Sequence, residues 1–196
     1  LAGRLFGLSE LMIALYVEPE NMTVLLEKCT RFLIDYTRAI RQTGVHGVIM
    51  AEPAAGLISN EDCLLYSTDY VRQIVDAVQD ENFMVILHNC GNFGHCTEAM
   101  VQSGAAGLHF GNKIDMAEAL ENCPEDRLVM GNLDPVGLFK QSSPEKVYAE
   151  TMNLLKKTSQ WKNFVLSTGC DVPPHVPSEN IEAFYQALNS FNNRSV

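Results

Sequence analysis

The sequence predicts an α/β fold built as part of a (β/α)8 TIM barrel, and three observations carry that reading. Five short apolar runs alternate with segments of helical period, as parallel βα units do. Chemically capable side chains fall at or just past the C-terminal end of those runs: Glu52, His88 with Cys90, His109 with Asn112, Asn132 with Asp134, and Cys170 with Asp171. In barrels of this kind that rim carries the active site. A doubly wound sheet would instead announce itself with a glycine-rich phosphate loop after its first strand, and none follows here. "GNFGHC" has glycines but neither the spacing nor the Lys-Ser/Thr of a P-loop.

Taken in order, residues 20–43 place Met22, Leu25, Leu26, Cys29, Phe32, Leu33, Tyr36 and Ile40 at three-and-four spacing, which predicts an amphipathic helix ended by Gly44. "GVIMAEP" (47–53) is a continuous apolar run stopped by a charge and a proline, the pattern of a strand buried on both faces. "STDYVRQIVDAVQ" predicts a helix with Ser67 or Thr68 as its cap and Val71, Ile74, Val75 and Val78 on one face. "FMVILHNC" is the second strand, "AGLHFG" (106–111) the third, "DMAEALENC" a short helix, and "RLVMGN" (127–132) the fourth strand. Ser143 as N-cap and Pro144 as first helical residue open the helix "SSPEKVYAETMNLLKK". The fifth strand is "NFVLSTGC" (163–170), followed by the helix "PSENIEAFYQAL".

No Gly/Ser linker or low-complexity segment divides the chain, so residues 1–196 are expected to form a single domain. A closed barrel typically takes about 250 residues. With five strands, either three lie outside this sequence or the sheet does not close. Two open sheet edges invite pairing. Association with a partner or a second copy is therefore expected, and a monodisperse monomer in sedimentation at micromolar concentration would contradict it.

Composition narrows the function. A chain that is 46% hydrophobic and 19% charged can bury a sizeable core and is not disordered. A net charge of −10 argues against phosphate backbones and anionic membranes, so neither nucleic acid nor a membrane is an expected partner. No apolar run reaches membrane-span length and no basic-then-apolar leader opens the sequence, which makes the cytoplasm the expected location. The six cysteines then read as reduced thiols, with Cys29, Cys63 and Cys123 as core filler or incidental surface thiols.

His88-x-Cys90 puts an imidazole and a thiol on the same side of a strand end, because residues two apart share a face. Zinc accepts both ligand types, and catalytic zinc keeps three protein ligands and an open position. Cys170 in "STGCDVPP" is the best third ligand, since it ends another strand on the same rim. His95 and Cys96 are nearer in sequence but open the following helix. Asn132-Leu133-Asp134-Pro135 reads equally well as substrate-positioning chemistry or as an Asx turn, and His46 and His175 read as surface positions.

"LHNCGN", "MGNLDP" and "STGCDVPPHVPSENI" resemble the uroporphyrinogen decarboxylase superfamily, in particular its methylcobalamin:coenzyme M methyltransferase branch. "LAGRLFG" and "EPAAGLISNEDC" extend the likeness to nearly the whole chain, as the C-terminal portion of a family barrel lacking roughly its first three strands. Decarboxylases resemble one another in a Gly-His near the C-terminus, where this sequence reads Gly169-Cys170. The resemblance thus implies zinc held by His88, Cys90 and Cys170. It also implies a methylcobalamin or other methylcorrinoid donor carried by a corrinoid protein, and a small thiol acceptor such as coenzyme M. Glu52, Asn132 and Asp134 are the candidates to position substrate or brace a ligand. An acidic fourth ligand of the branch is matched here by Gly111, which leaves His109, water, or three ligands alone. The alternatives are a metal-free uroporphyrinogen decarboxylase, and a non-catalytic, assembly-dependent fragment that binds zinc or a corrinoid protein.

Overall fold

A computed structural model describes residues 1–193. Its centre is a parallel sheet of five strands, β1 (Gly47–Ala51), β2 (Met84–Asn89), β3 (Gly107–Phe110), β4 (Leu128–Leu133) and β5 (Phe164–Thr168). They lie side by side in sequence order. A doubly wound sheet reverses its strand order at a switch point. No reversal occurs here, so the sheet is the singly wound kind that curls into a barrel, with β1 and β5 as its open edges among the described residues.

Helices α1 (Ala2–Phe6), α2 (Leu8–Val17) and α3 (Pro19–Arg41) precede the sheet. A 3-10 turn (Pro53–Leu57), α4 (Asn60–Cys63), a π-helical turn (Leu64–Thr68) and α5 (Asp69–Val78) join β1 to β2. Then come α6 (Thr97–Gln102), α7 (Met116–Glu121), α8 (Pro144–Thr158) and α9 (Ser178–Asn192), one after each later strand. One face of the sheet packs against these helices: Val85, Leu87, Leu108, Phe110 and Val129 form a cluster with Val71, Ile74, Val75 and Val78 of α5 and with Met116, Ala119 and Leu120 of α7. The opposite face is partly open, and Ile49 on β1 is 63% exposed there.

The structure moves one helix start. Ser67 and Thr68 do not cap α5; their hydroxyls donate to the Glu52 carboxylate and to the Ala99 carbonyl, and the chain is already helical through both residues. The cap is Ser59, whose Oγ accepts the Asp62 N–H at 3.1 Å. Ser59→Ala is expected to lower stability by about 1 kcal/mol in urea unfolding. The α3 stripe is also narrower than its spacing suggests, because Phe32 and Tyr36 stay exposed and stack on each other with ring centroids 6.0 Å apart. Ser143 holds the N-cap position of α8 without accepting a helix N–H.

Candidate metal centre

β2 alternates its side chains, so Val85 and Leu87 enter the helix-side core while His88 points to the other face. Pairing of β2 with β3 sets His88 opposite His109 at one level, both buried. Past the strand end the chain is braced by its own amides. Asn89 Oδ1 accepts the Gly91 N–H at 3.0 Å, and Asn92 Oδ1 accepts from Gly94 N at 2.8 Å and Cys96 N at 3.0 Å. Both asparagines are buried, and they hold the turn that presents Cys90. Their loop-shaping role was not drawn from the sequence, although asparagine beside glycine is the usual signal of such a turn.

The loop after β5 meets that turn because two glycines permit the approach. A Cβ on Gly169 would lie 2.5 Å from the Asn112 backbone nitrogen, and one on Gly111 would lie 2.7 Å from the Cys90 carbonyl oxygen. The second contact explains the missing acidic ligand: a side chain at position 111 would collide with the backbone of Cys90. With the loops in place, ligand atoms of His88, Cys90 and Cys170 all fall within 4.8 Å of one another. Atoms sharing one tetrahedral zinc stand about 3.5–3.8 Å apart, from Zn–S near 2.3 Å and Zn–N near 2.0–2.1 Å.

Burial pulls the pKa of His88 below the usual imidazole value, against the His109 carbonyl and the Asp171 charge, which raise it. Burial also lowers that of His109, helped by His88. For Cys90, burial and the neighbouring Cys170 thiol push the pKa up. His88 Nε2 is a buried nitrogen without a hydrogen-bond partner. An imidazole kept neutral with one ring nitrogen unsatisfied, beside two thiols, is a donor set that fits zinc.

The other expected residues lie around this group in different ways. His109 is beside it but turned away: its Nε2 sits 2.9 Å from the Thr168 carbonyl oxygen and 3.1 Å from Ser167 Oγ, and its Nδ1 sits 2.7 Å from His88 Nδ1. Asn132 Nδ2 donates to the carbonyls of Gly111 at 3.0 Å and Ile114 at 2.7 Å, tying β4 to the β3 loop. Asp134 Oδ1 accepts the N–H groups of Val136 and Gly137, both at 2.9 Å, which is Asx-turn geometry. Glu52 turns away toward Ser67, its carboxyl enclosed though the residue as a whole is half-buried, and burial raises its pKa to about 7. Cys96 lies under the 3-10 turn with its thiol 3.6 Å from the carbonyls of Ala55 and Ile58, so it belongs to another cluster. All six cysteines are free thiols. No helix among the described residues is long and apolar enough to cross a membrane.

The uroporphyrinogen decarboxylase (URO-D) family matches residues 1–191. Among curated relatives, methylcobamide:CoM methyltransferase MtbA of Methanosarcina acetivorans is 29% identical over 90% of this chain and 51% of its own length. A uroporphyrinogen decarboxylase of Synechococcus sp. is 32% identical over 90% of the chain and 50% of its own length. The chain thus spans about half the length of the curated relatives it matches. A solved methyltransferase from Methanosarcina mazei superposes with a TM-score of 0.88 at 24% identity, covering 97% of this chain and 56% of that one, which identifies the fold as part of a TIM barrel.

Proposed function

Because the chain belongs to the uroporphyrinogen decarboxylase family, we propose that it is the metal-bearing part of a zinc-dependent corrinoid methyltransferase. It moves a methyl group from a methylcorrinoid on a partner protein to a small thiol. The observation that carries this is the convergence of one imidazole and two thiols, His88, Cys90 and Cys170, from the ends of β2 and β5. MtbA relatives, with methylcobamide and CoM in their name, support the substrate classes. Decarboxylation of an acetate side chain needs no metal and gives such a donor set no task. Residues 1–196 are read as one domain that works in the cytoplasm, with the open edges of β1 and β5 pairing with a partner or a second copy.

Zinc held by these three residues would convert a coordinating thiol, ordinarily of pKa ≈ 8.5, to its thiolate at neutral pH. With a methylcorrinoid as substrate, such a thiolate would take the methyl group: an S–CH3 bond would replace the Co–CH3 bond, whose electron pair would remain with the corrinoid, and the thiol proton would go to solvent. The protein's part is orientation. Asn132 holds the β3 loop, and so Gly111, against Cys90, and Asp171, exposed beside Cys170, sets the local charge. The assay is anaerobic turnover of methylcobalamin with coenzyme M by zinc-loaded protein. Zinc-dependent appearance of the cob(I)alamin spectrum is the expected result. Carbon dioxide release from uroporphyrinogen by metal-free protein would establish the decarboxylase reading instead. Zinc bound one to one with neither activity would leave a binding module.

A further inference from the structure

We propose that His109 is a positioning residue that fixes the tautomer and the ring orientation of His88, so that the His88 Nε2 lone pair faces the two thiols. The proposal rests on the metal reading above and adds to it a task for a histidine that contributes no ligand atom.

The argument starts from two backbone carbonyls, which can only accept. The Thr168 oxygen lies 2.9 Å from His109 Nε2, so that nitrogen carries the proton. A neutral imidazole has one N–H, which leaves His109 Nδ1 bare and able to accept. At the other end, the His109 carbonyl lies 3.2 Å from His88 Nδ1, so His88 Nδ1 carries the proton. The two ring nitrogens between them are 2.7 Å apart, and their assignments agree: His88 Nδ1–H donates and His109 Nδ1 accepts. The remaining nitrogen, His88 Nε2, is then bare, and it is one of three buried side-chain polar atoms among the described residues that no hydrogen bond satisfies. A relay runs from the end of β5 across β3 to β2, and it leaves free one lone pair of the imidazole that meets Cys90 and Cys170. Ligand histidines commonly have their second nitrogen fixed in this way by a carboxylate or carbonyl; here a second imidazole does it, with ring centroids 4.6 Å apart and planes tilted by 46°.

The experiment uses the chain as it stands, with the variants His109→Phe and His109→Asn. Phe keeps a flat ring without an acceptor, whereas the Asn Oδ1 returns an acceptor near the position of Nδ1. Both forfeit the bond to Thr168, so a purely structural role would lower their unfolding midpoints and their zinc affinities alike. The expected result is a zinc dissociation constant raised about tenfold in His109→Phe, measured by competition with a chromophoric chelator. That is the low end of the range for outer partners of metal ligands, because the carbonyl of residue 109 still accepts from His88. His109→Asn should recover most of the loss. In the zinc-free wild type, long-range proton–nitrogen NMR should find His88 protonated on Nδ1 and His109 on Nε2. Equal affinity in all three proteins, or His88 protonated on Nε2, would overturn the proposal. A wild type that takes up no zinc would defeat the metal reading alone, since the tautomer measurement still decides the relay.

Discussion

Cys170→Ser is expected to abolish zinc retention. Mass spectrometry of the purified protein should find about one zinc per chain in the wild type and almost none in the variant. Four-ligand zinc sites are worth about 10–16 kcal/mol, or about 3–4 kcal/mol per ligand, so losing one thiolate should weaken binding by about 100- to 1000-fold. Cys170 is half-buried in the loop after β5 and contributes to no apolar cluster, so the loss should come without unfolding. Cys96→Ala is the matching control. Cys96 is nearer to His88 in sequence than Cys170 is, but its thiol lies against Ala55 and Ile58, and zinc should be retained. Zinc kept by Cys170→Ser and lost by Cys96→Ala would reassign the third ligand. No metal in folded wild type after zinc loading would remove the site altogether.

The strands were legible because their residues are apolar almost throughout, although β1 is not buried on both faces as such a run implies: as an open edge it has only half-buried or exposed residues. "GVIMA", "MVILHN" and "LVMGNL" are near-continuous apolar runs, and parallel strands covered on the helix side have that signature. The first two helices were not legible. Leu5, Phe6, Leu8, Ile13, Tyr16 and Val17 are all exposed, so apolar residues surround α1 and α2 and no single face emerges from their spacing. The start of the helix before β2 was misplaced because hydroxyls at Ser67 and Thr68 look like caps. Tertiary contacts with Glu52 and Ala99 use them instead.

In the site, the His88-x-Cys90 pair could be read from the two-residue period of a strand, and Cys170 from its place on the rim. Two things lay outside such reasoning. Gly111 reads in sequence only as a missing acid, whereas the structure gives the cause in its contact with the Cys90 backbone. His109 was a natural extra ligand by residue type. Its orientation depends on the end of β5, 59 residues away, where the Thr168 carbonyl accepts a hydrogen bond from its Nε2. Spacing along one strand carries no information about that partner.

Glu52→Gln is expected to stabilise the protein at alkaline pH and to leave it unchanged in acid. The Glu52 carboxyl is enclosed beside Ser67 and near Cys63, a thiol that burial pushes up to about 12, and its own pKa rises to about 7. In the unfolded chain it titrates near 4.5. Between these values the native state holds a proton that the unfolded state has lost, so stability falls as pH rises through the window and levels off above about 7. The integrated loss is up to about 3 kcal/mol. Glutamine carries no charge to desolvate, and its Oε1 can still accept from Ser67. Urea unfolding from pH 4 to 8 should therefore show a falling curve for the wild type and a flatter one for the variant, meeting near pH 4 and separated by about 2–3 kcal/mol at pH 8. Parallel curves would mean that Glu52 ionises at its ordinary pKa and is solvated in the folded protein. A variant less stable at pH 8 would mean that a cation holds the carboxylate. Either result would return Glu52 to the open rim as a group able to meet substrate. The expected one keeps it as a buried brace between the end of β1 and the π-helical turn.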